Sequence, residues 1–86
     1  MTPRASDLTD QAQRGLESIK NAIRGLLASA AEGMTNYEVA KALGLETSFE
    51  GKHKNYLTYV VLHQLIKEGV VVTRTLKRNR IYSLVR

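Results

Sequence analysis

The sequence predicts an α+β domain in which three helices are followed by a C-terminal β-hairpin. Three segments repeat their apolar residues with helical spacing, and a glycine closes each of them. Residues 70–85 then change to β-branched residues on both sides of a polar turn. The chain of 86 residues is long enough for one domain with a modest core, but too short for a large enclosed active site. We expect residues 1–8 to form a flexible tail and residues 9–86 to form the domain.

The first helix is predicted over residues 9–32. Thr9 or Asp10 can cap it, because a side-chain oxygen at that position accepts from free amide groups of the first turn. Gly33 follows as the C-terminal cap. The apolar residues recur every three or four positions and share one stripe: Leu16, Ile19, Ile23, Leu26, Leu27 and Ala30.

A short second helix is predicted between Thr35 and Gly44. Thr35 and Glu38 form a T-x-x-E capping box, in which each side chain accepts from the backbone amide of the other residue. Gly44 ends the helix, because glycine adopts the left-handed conformation without a Cβ clash. The apolar side is formed by Tyr37, Val39, Ala40 and Leu43.

The second and third helices are separated by a polar connector. It could hold one helical turn beginning at Thr47, where Thr47 and Glu50 form a second T-x-x-E box, although Gly51 argues against a continuous helix. The third helix is predicted over "NYLTYVVLHQLIKEG", with Gly69 as its cap. Its buried face comprises Thr58, Val61, Leu62 and Leu65, flanked by Leu57 and Ile66. Its opposite face carries Tyr56, Tyr59, Val60, His63 and Lys67.

The sequence leaves the turn of the hairpin open. Because asparagine tolerates positive φ, the turn is either Arg78-Asn79 or Lys77-Arg78-Asn79. The two-residue turn would pair Leu76 with Ile81. The three-residue turn, which we favour, would place four residues on the inward face: Val70, Val72, Tyr82 and Leu84.

Positive charge is concentrated in the C-terminal part of the chain. The formal net charge is +5. Residues 1–50 carry five Lys/Arg and seven Asp/Glu, which gives −2, whereas residues 51–86 carry eight Lys/Arg and one Glu, which gives +7. This asymmetry indicates a polyanion partner, and a solvated basic surface is the alternative. Four of the cations lie in or near the predicted turn: Arg74, Lys77, Arg78 and Arg80. Whether Arg74 joins the other three or lies back along the hairpin depends on the length of the turn.

Other classes of function are disfavoured. Cysteine is absent and His53 and His63 are the two histidines, so we expect no disulfide and no zinc site. Neither a nucleophile motif nor a phosphate-binding glycine loop is present, and we expect neither an enzyme nor a cofactor. No apolar run approaches the roughly 20 residues of a membrane span, and the N-terminus lacks an apolar signal core. We therefore expect a cytoplasmic protein that does not contact membranes.

Three stretches carry a family resemblance. The first is "GMTNYEVAKALGL", the second is "LHQLIKEGVVV" with its L-x-x-L-x-x-x-G-x-V pattern, and the third is "RNRIYSLV". In this order they resemble the first helix, the end of the recognition helix and the returning wing strand of winged helix-turn-helix DNA-binding domains. The resemblance covers residues 16–86. It departs from the family in the connector, which runs from Leu45 to about Lys54 where the family often has three or four residues.

The resemblance implies a sequence-specific regulator of transcription that binds double-stranded DNA. The third helix would lie in the major groove, and the basic hairpin would lie on the backbone or in a minor groove. An asparagine can bond adenine bidentately, and valine or tyrosine can contact a thymine methyl group. The residues that would contact bases are Asn55, Tyr56, Tyr59, Val60 and His63. Those that would contact the backbone are Lys52, Lys54, Lys67, Arg74, Lys77, Arg78 and Arg80.

The choice of partner has alternatives. The face that carries the tyrosines could instead dock a protein partner, since winged-helix folds also serve as interaction modules. The chain could also be the targeting domain of a larger nucleic-acid complex. Four small residues share one face of the first helix and would permit a homodimer: Ser18, Ala22, Gly25 and Ser29. An ordinary exposed face is the alternative to that dimer.

Overall fold

The computed structural model describes residues 4–49 and 53–85. Three helices, two short strands in the connector and a C-terminal hairpin confirm the α+β class. The elements in chain order are α1 (Ala5–Ala28), α2 (Asn36–Leu43), β1 (Ser48–Phe49), β2 (His53–Lys54), α3 (Tyr56–Lys67), β3 (Val71–Leu76) and β4 (Asn79–Leu84). Within the described ranges, no helix combines the length and the apolar character needed to cross a membrane.

Helix α1 lies closer to the N-terminus than the predicted range of 9–32. Thr9, one of the two predicted caps, lies inside the helix and its hydroxyl donates to the carbonyl of Ala5 at 3.0 Å. Arg4 occupies the N-cap position without a side-chain hydrogen bond, and Asp7 in the first turn interacts favourably with the helix dipole. The last part of the predicted tail is therefore helical.

The segment between α1 and α2 packs directly against β4. Met34 and Tyr82 exchange two backbone hydrogen bonds of 2.8 and 2.9 Å. Gly33 has a φ of +87°, and a Cβ at this position would lie 2.6 Å from Ile81 Cγ2 and 2.6 Å from the Tyr82 carbonyl oxygen. Gly33 is thus not the cap of α1, which ends at Ala28. Glycine is needed here because the backbones approach so closely.

The boundaries of α2 agree with the prediction. The Thr35 hydroxyl accepts from the Glu38 amide at 3.1 Å, and the Glu38 carboxylate accepts from the Thr35 amide at 2.9 Å. Gly44 closes the helix in the left-handed conformation, with a φ of 68°. The apolar side is buried or half-buried except at Tyr37, which was expected there and is exposed.

The connector forms a short antiparallel ladder of β1 and β2 in place of the helical turn that could have begun at Thr47. Thr47 does not start a turn of its own. Its hydroxyl accepts from the amide of Tyr56 at 3.2 Å, so Thr47 fastens the connector to the first residue of α3. Glu50, the other half of the predicted box, lies outside the described residues.

Helix α3 ends as predicted, with Gly69 in the left-handed conformation at a φ of 77°. The amide of Gly69 donates to the carbonyl of Ile66 at 3.0 Å, and the amide of Val70 donates to that of Leu65 at 2.9 Å. These two bonds make a Schellman motif, which satisfies carbonyls at the end of the helix. Leu57, expected at the edge of the buried face, is 39 % exposed. The four residues predicted at the centre of that face are buried: Thr58, Val61, Leu62 and Leu65.

The hairpin turns at Lys77-Arg78, and neither predicted turn is correct. Leu76 pairs with Asn79, so that Tyr82 lies opposite Thr73. The inward orientation of β4 is confirmed, because Tyr82 is buried. The inward face of β3 was predicted one residue out of phase: Val71 is buried and Val72 is exposed. The core comprises Ile23, Leu27, Val39, Val61, Leu62, Leu65, Val71 and Tyr82.

Candidate nucleic-acid interface

Three cations lie at the free end of the hairpin. Lys77 and Arg78 occupy the turn, and Arg80 lies on β4 opposite Thr75. All three side chains are exposed, and none forms an ion pair with another residue that the structure describes. We refer to Lys77, Arg78 and Arg80 as the tip cations. Their charges are not neutralised within the described part of the chain and can attract a polyanion.

The backbone of the turn is unusual for the residues it holds. Lys77 and Arg78 both have positive φ, at 49° and 73°. A two-residue turn of this kind normally contains Asn-Gly, because the left-handed conformation costs a residue with a Cβ about 1–2 kcal/mol. The hairpin therefore carries two long cationic side chains at positions where glycine or asparagine would be more stable. Strain of this kind is concentrated at functional sites in proteins.

Arg74 does not belong to the tip cations. Its Nη2 donates to the backbone carbonyl of Glu32, in the segment that follows α1. Arg74 lies opposite Ile81, so the two side chains share the face of the hairpin that is turned away from Tyr82. The alternative left open by the sequence is thereby decided: Arg74 joins β3 to the turn after α1.

An aromatic row runs along the outer side of α3. The rings of Tyr56 and Tyr59 are stacked with centroids 6.2 Å apart, and the Tyr59 and His63 rings lie 4.2 Å apart. Tyr56 is 58 % exposed and Tyr59 is 40 % exposed. His63 in turn meets Tyr82 of β4 edge-on at 6.4 Å. The row of Tyr56, Tyr59 and His63 therefore leads from the start of α3 to the hairpin.

The aromatic row and one tip cation lie on the same side of the hairpin. Arg80 and Tyr82 are two residues apart on β4, so their side chains project from the same face of the strand. That face also carries Val71 of β3 and packs on the core, where Tyr82 meets His63. Arg80 continues this face beyond the core, towards the tip. The structure thus brings the end of the aromatic row and Arg80 to one side of the molecule.

His63 and its neighbours on α3 differ in how far they reach solvent. His63 is half-buried, and its Nε2 is shielded from solvent without a hydrogen-bond partner among the described residues. This nitrogen is not presented to a ligand, and the ring packs between Tyr59 and Tyr82. Val60 is half-buried, and Lys67 is exposed in the last turn of the helix.

Asn55 does not face outward, and the expectation that it does is wrong. Its side chain and backbone are 94 % covered, with 6 % of the residue exposed. Its Oδ1 accepts from the Thr47 amide at 3.0 Å, and its carbonyl accepts from Asn36 Nδ2 at 3.0 Å and from the Thr58 hydroxyl at 3.1 Å. A φ of 59° lets Asn55 turn the chain from β2 into α3. Asn55 therefore organises the entry to the helix.

A buried lysine on α1 was not predicted. Lys20 is buried, and its Nζ lies 2.6 Å from Glu68 Oε2 and 3.4 Å from Glu17 Oε1. The hydrogen bond to Glu68 raises the pKa of Lys20 above its ordinary value of 10.5, while burial opposes this effect. Glu17 at i−3 was a weak sequence signal, but the ion pair to Glu68 joins α1 to the end of α3 and has no local signature.

Two of the predicted DNA-backbone contacts are not among the side chains that the structure describes. Lys52 lies outside the described residues, and so does the side chain of Lys54. Within the described ranges, no group of three or more His, Cys, Asp or Glu side chains could hold a metal ion. Comparisons of the chain with protein-family models, with curated proteins and with solved structures each found no match.

Proposed function

We propose that this chain is a winged helix-turn-helix domain that binds double-stranded DNA sequence-specifically and regulates transcription, with no enzymatic activity of its own. Helix α3 would lie in the major groove, and the β3–β4 hairpin would act as the wing. The observation that carries the proposal is the group of tip cations, which are exposed and unpaired within the described chain at the end of a projecting hairpin.

The order of the elements supports this arrangement. An α-helix fits the major groove, where base edges present a distinguishable pattern of donors and acceptors. Arg80 lies on the same face of the hairpin as Tyr82, which contacts the end of the aromatic row. A duplex held against α3 would therefore have phosphates within reach of the hairpin. Arginines are also favoured in narrow minor grooves.

A salt-dependent titration of duplex DNA tests the proposal. The logarithm of the binding constant should fall linearly with the logarithm of the salt concentration between about 50 and 200 mM. Arg78→Ala and Arg80→Ala should each make this negative slope shallower by about 0.9, because each removes one phosphate contact. Arg14→Ala is the matched control, since Arg14 is an exposed cation on α1. DNA binding would be refuted if the chain did not bind duplex DNA at about 50 mM salt, or if its affinity did not change with the salt concentration.

Protein docking is the second candidate, and the exposure of Tyr56 and Tyr59 favours it. Exposed aromatic patches often mark protein interfaces. The two functions separate at Tyr59: if Tyr59→Ala abolishes capture of a protein partner and leaves DNA binding unchanged, the aromatic row serves as a docking surface.

The proposal also includes a homodimer, since helix-turn-helix proteins often bind DNA as symmetric dimers. The four small residues predicted to share one face of the first helix are all exposed: Ser18, Ala22 and Gly25 within α1, and Ser29 directly after it. A Cβ at Gly25 would have no neighbour within 4 Å, so another helix can approach closely there. Sedimentation of the chain with and without duplex DNA measures whether it dimerises.

A further inference from the structure

We infer that α3 selects its target through thymine methyl groups, so that the preferred duplex is rich in A·T pairs and its recognition depends on the thymine C5 methyl. This inference rests on the proposed DNA binding and assigns the chemistry of the target. It follows from which side chains the structure exposes on α3 and which it withdraws.

Asn55, the best candidate for reading adenine, is buried in the structure. Adenine is read by Asn or Gln through two hydrogen bonds, and guanine by Arg or Lys. Among the described side chains at the start of the helix, Asn55 is the one that could read adenine in this way, and it is buried with its Oδ1 bonded to the Thr47 amide. Exposing Asn55 to a base would break the junction between the connector and α3.

The side chains left on the first two turns of α3 are apolar or aromatic. Tyr56, Leu57 and Tyr59 are exposed, and Val60 is half-buried. None of them carries an amide or a guanidinium group. Recognition helices contact bases mainly with their N-terminal residues, and apolar side chains in the major groove contact the methyl group of thymine. The described side chains that are exposed at the start of α3 therefore match thymine better than any other base.

The later part of α3 and the hairpin fit the same target. Gln64 is half-buried, and Lys67 lies in the last turn, away from the N-terminal residues that contact bases in recognition helices. The guanidinium groups of the described interface instead lie on the hairpin, at Arg78 and Arg80. Tracts of A·T pairs have a narrow minor groove with enhanced negative potential, which attracts arginine. Both surfaces thus favour A·T pairs for independent reasons.

The test begins with selection from a pool of random-sequence duplexes by the full chain. The preferred duplex is then synthesised twice, once with thymine and once with deoxyuridine, which lacks only the C5 methyl. Both duplexes carry the same phosphates, so the electrostatic contribution is constant. We expect an A·T-rich sequence, and a loss of roughly 4-fold in affinity for each contacted methyl, the usual effect of one buried carbon group.

The variants Tyr59→Ala and Val60→Ala identify the groups that contact the methyl. Each should weaken binding to the thymine duplex several-fold more than binding to the deoxyuridine duplex. Tyr37→Ala is the control, because Tyr37 is an exposed tyrosine on α2. Circular dichroism verifies that each variant is folded.

The outcomes distinguish this inference from the proposed function. A G·C-rich selected sequence, equal affinity for the two duplexes, or equal losses on both duplexes in the variants would overturn methyl recognition while DNA binding stands. Absence of any enriched sequence would overturn sequence-specific binding itself.

Discussion

The turn of the hairpin offers a substitution whose effects on stability and on binding have opposite signs. Replacing Lys77 by Asn and Arg78 by Gly installs the residues that a two-residue turn with positive φ prefers. The same double substitution removes two of the three tip cations. If the turn is strained in order to present charge, the variant should be more stable than the wild type and should bind DNA less tightly.

The size of the stability gain follows from the backbone angles. Both residues sit in the left-handed region, at φ values of 49° and 73°. Glycine relieves about 1–2 kcal/mol at Arg78, but it loses about 0.5–1 kcal/mol more backbone entropy on folding. Asparagine at position 77 relieves a smaller part of the backbone strain. A net gain of about 1 kcal/mol should raise the melting temperature by about 4–8 °C for a domain of this size.

The binding change is measured on the same protein by fluorescence anisotropy. Loss of two phosphate contacts should make the slope of the logarithm of the binding constant against the logarithm of the salt concentration shallower by about 1.8. The double variant Lys77→Ala, Arg78→Ala is the matched control, because it removes the same charges and keeps a Cβ at both strained positions. The two variants should bind DNA equally weakly, whereas the Asn-Gly variant alone should gain stability over the wild type.

Two results would contradict this reasoning. Equal melting temperatures for the Asn-Gly and Ala-Ala variants would show that the turn is not strained. An unchanged salt slope in both variants would show that the tip cations do not contact phosphate.

Three further predictions concern stability. Gly33→Ala should destabilise the fold by about 2–3 kcal/mol, because the added Cβ would overlap β4. Gly44→Ala is the control: a Cβ there would have no neighbour within 4 Å, so the variant should lose only about 1 kcal/mol, and urea unfolding measures both losses. Leu27→Ala removes a buried side chain of α1 and should lower the free energy of unfolding by about 2–5 kcal/mol. Leu8→Ala removes an exposed side chain of the same helix and should change it by under about 0.5 kcal/mol; urea unfolding again measures both. Because its carboxylate partners raise the pKa of Lys20, the stability difference between wild type and Lys20→Met should be fully present from neutral pH to pH 10.5 and should shrink above it, as folded Lys20 deprotonates. An undiminished difference at high pH would contradict this.

Local signals in the sequence were sufficient for the boundaries of α2 and for the end and the buried face of α3. The capping box at Thr35 and Glu38, the glycine at position 69 and the buried stripe of α3 depend on residues within one or two turns of each other. The start of α1 was missed because Thr9 can either cap a helix or donate back to the preceding turn, as it does to Ala5. Nothing local distinguishes these two uses.

The candidate site was only partly predictable, because burial depends on distant partners. The exposure of Tyr59 follows from helical phase, and that of the tip cations follows from their place in or beside a polar turn, although the residues of the turn were not predicted correctly. The withdrawal of Asn55 depends on hydrogen bonds to Asn36 and Thr47, which the fold brings to it from two other segments. Asn55 was expected to contact bases because it lies at the start of the third helix and asparagine can bond adenine, but the tolerance of asparagine for positive φ is equally consistent with a chain junction.

The register of the hairpin shows how tertiary contacts can override turn preference. Asn79 was expected in the turn, yet the strands are fixed at their other ends. The Schellman motif at Val70 sets the phase of β3 and turns Val71 into the core, while the bridge between Met34 and Tyr82 fixes β4. Burying a side chain of that size contributes about 1.5–3 kcal/mol, and a slip of one residue would turn the strand's side chains to the other face. The strain of about 1–2 kcal/mol at each of the two turn residues sums to about 2–4 kcal/mol. Burial of Val71 and the backbone hydrogen bonds of the two anchors together outweigh this strain, so the turn consists of the two residues that remain between the anchored strands. Because those residues are a lysine and an arginine, the same anchoring that strains the turn also holds its cations at the end of the hairpin.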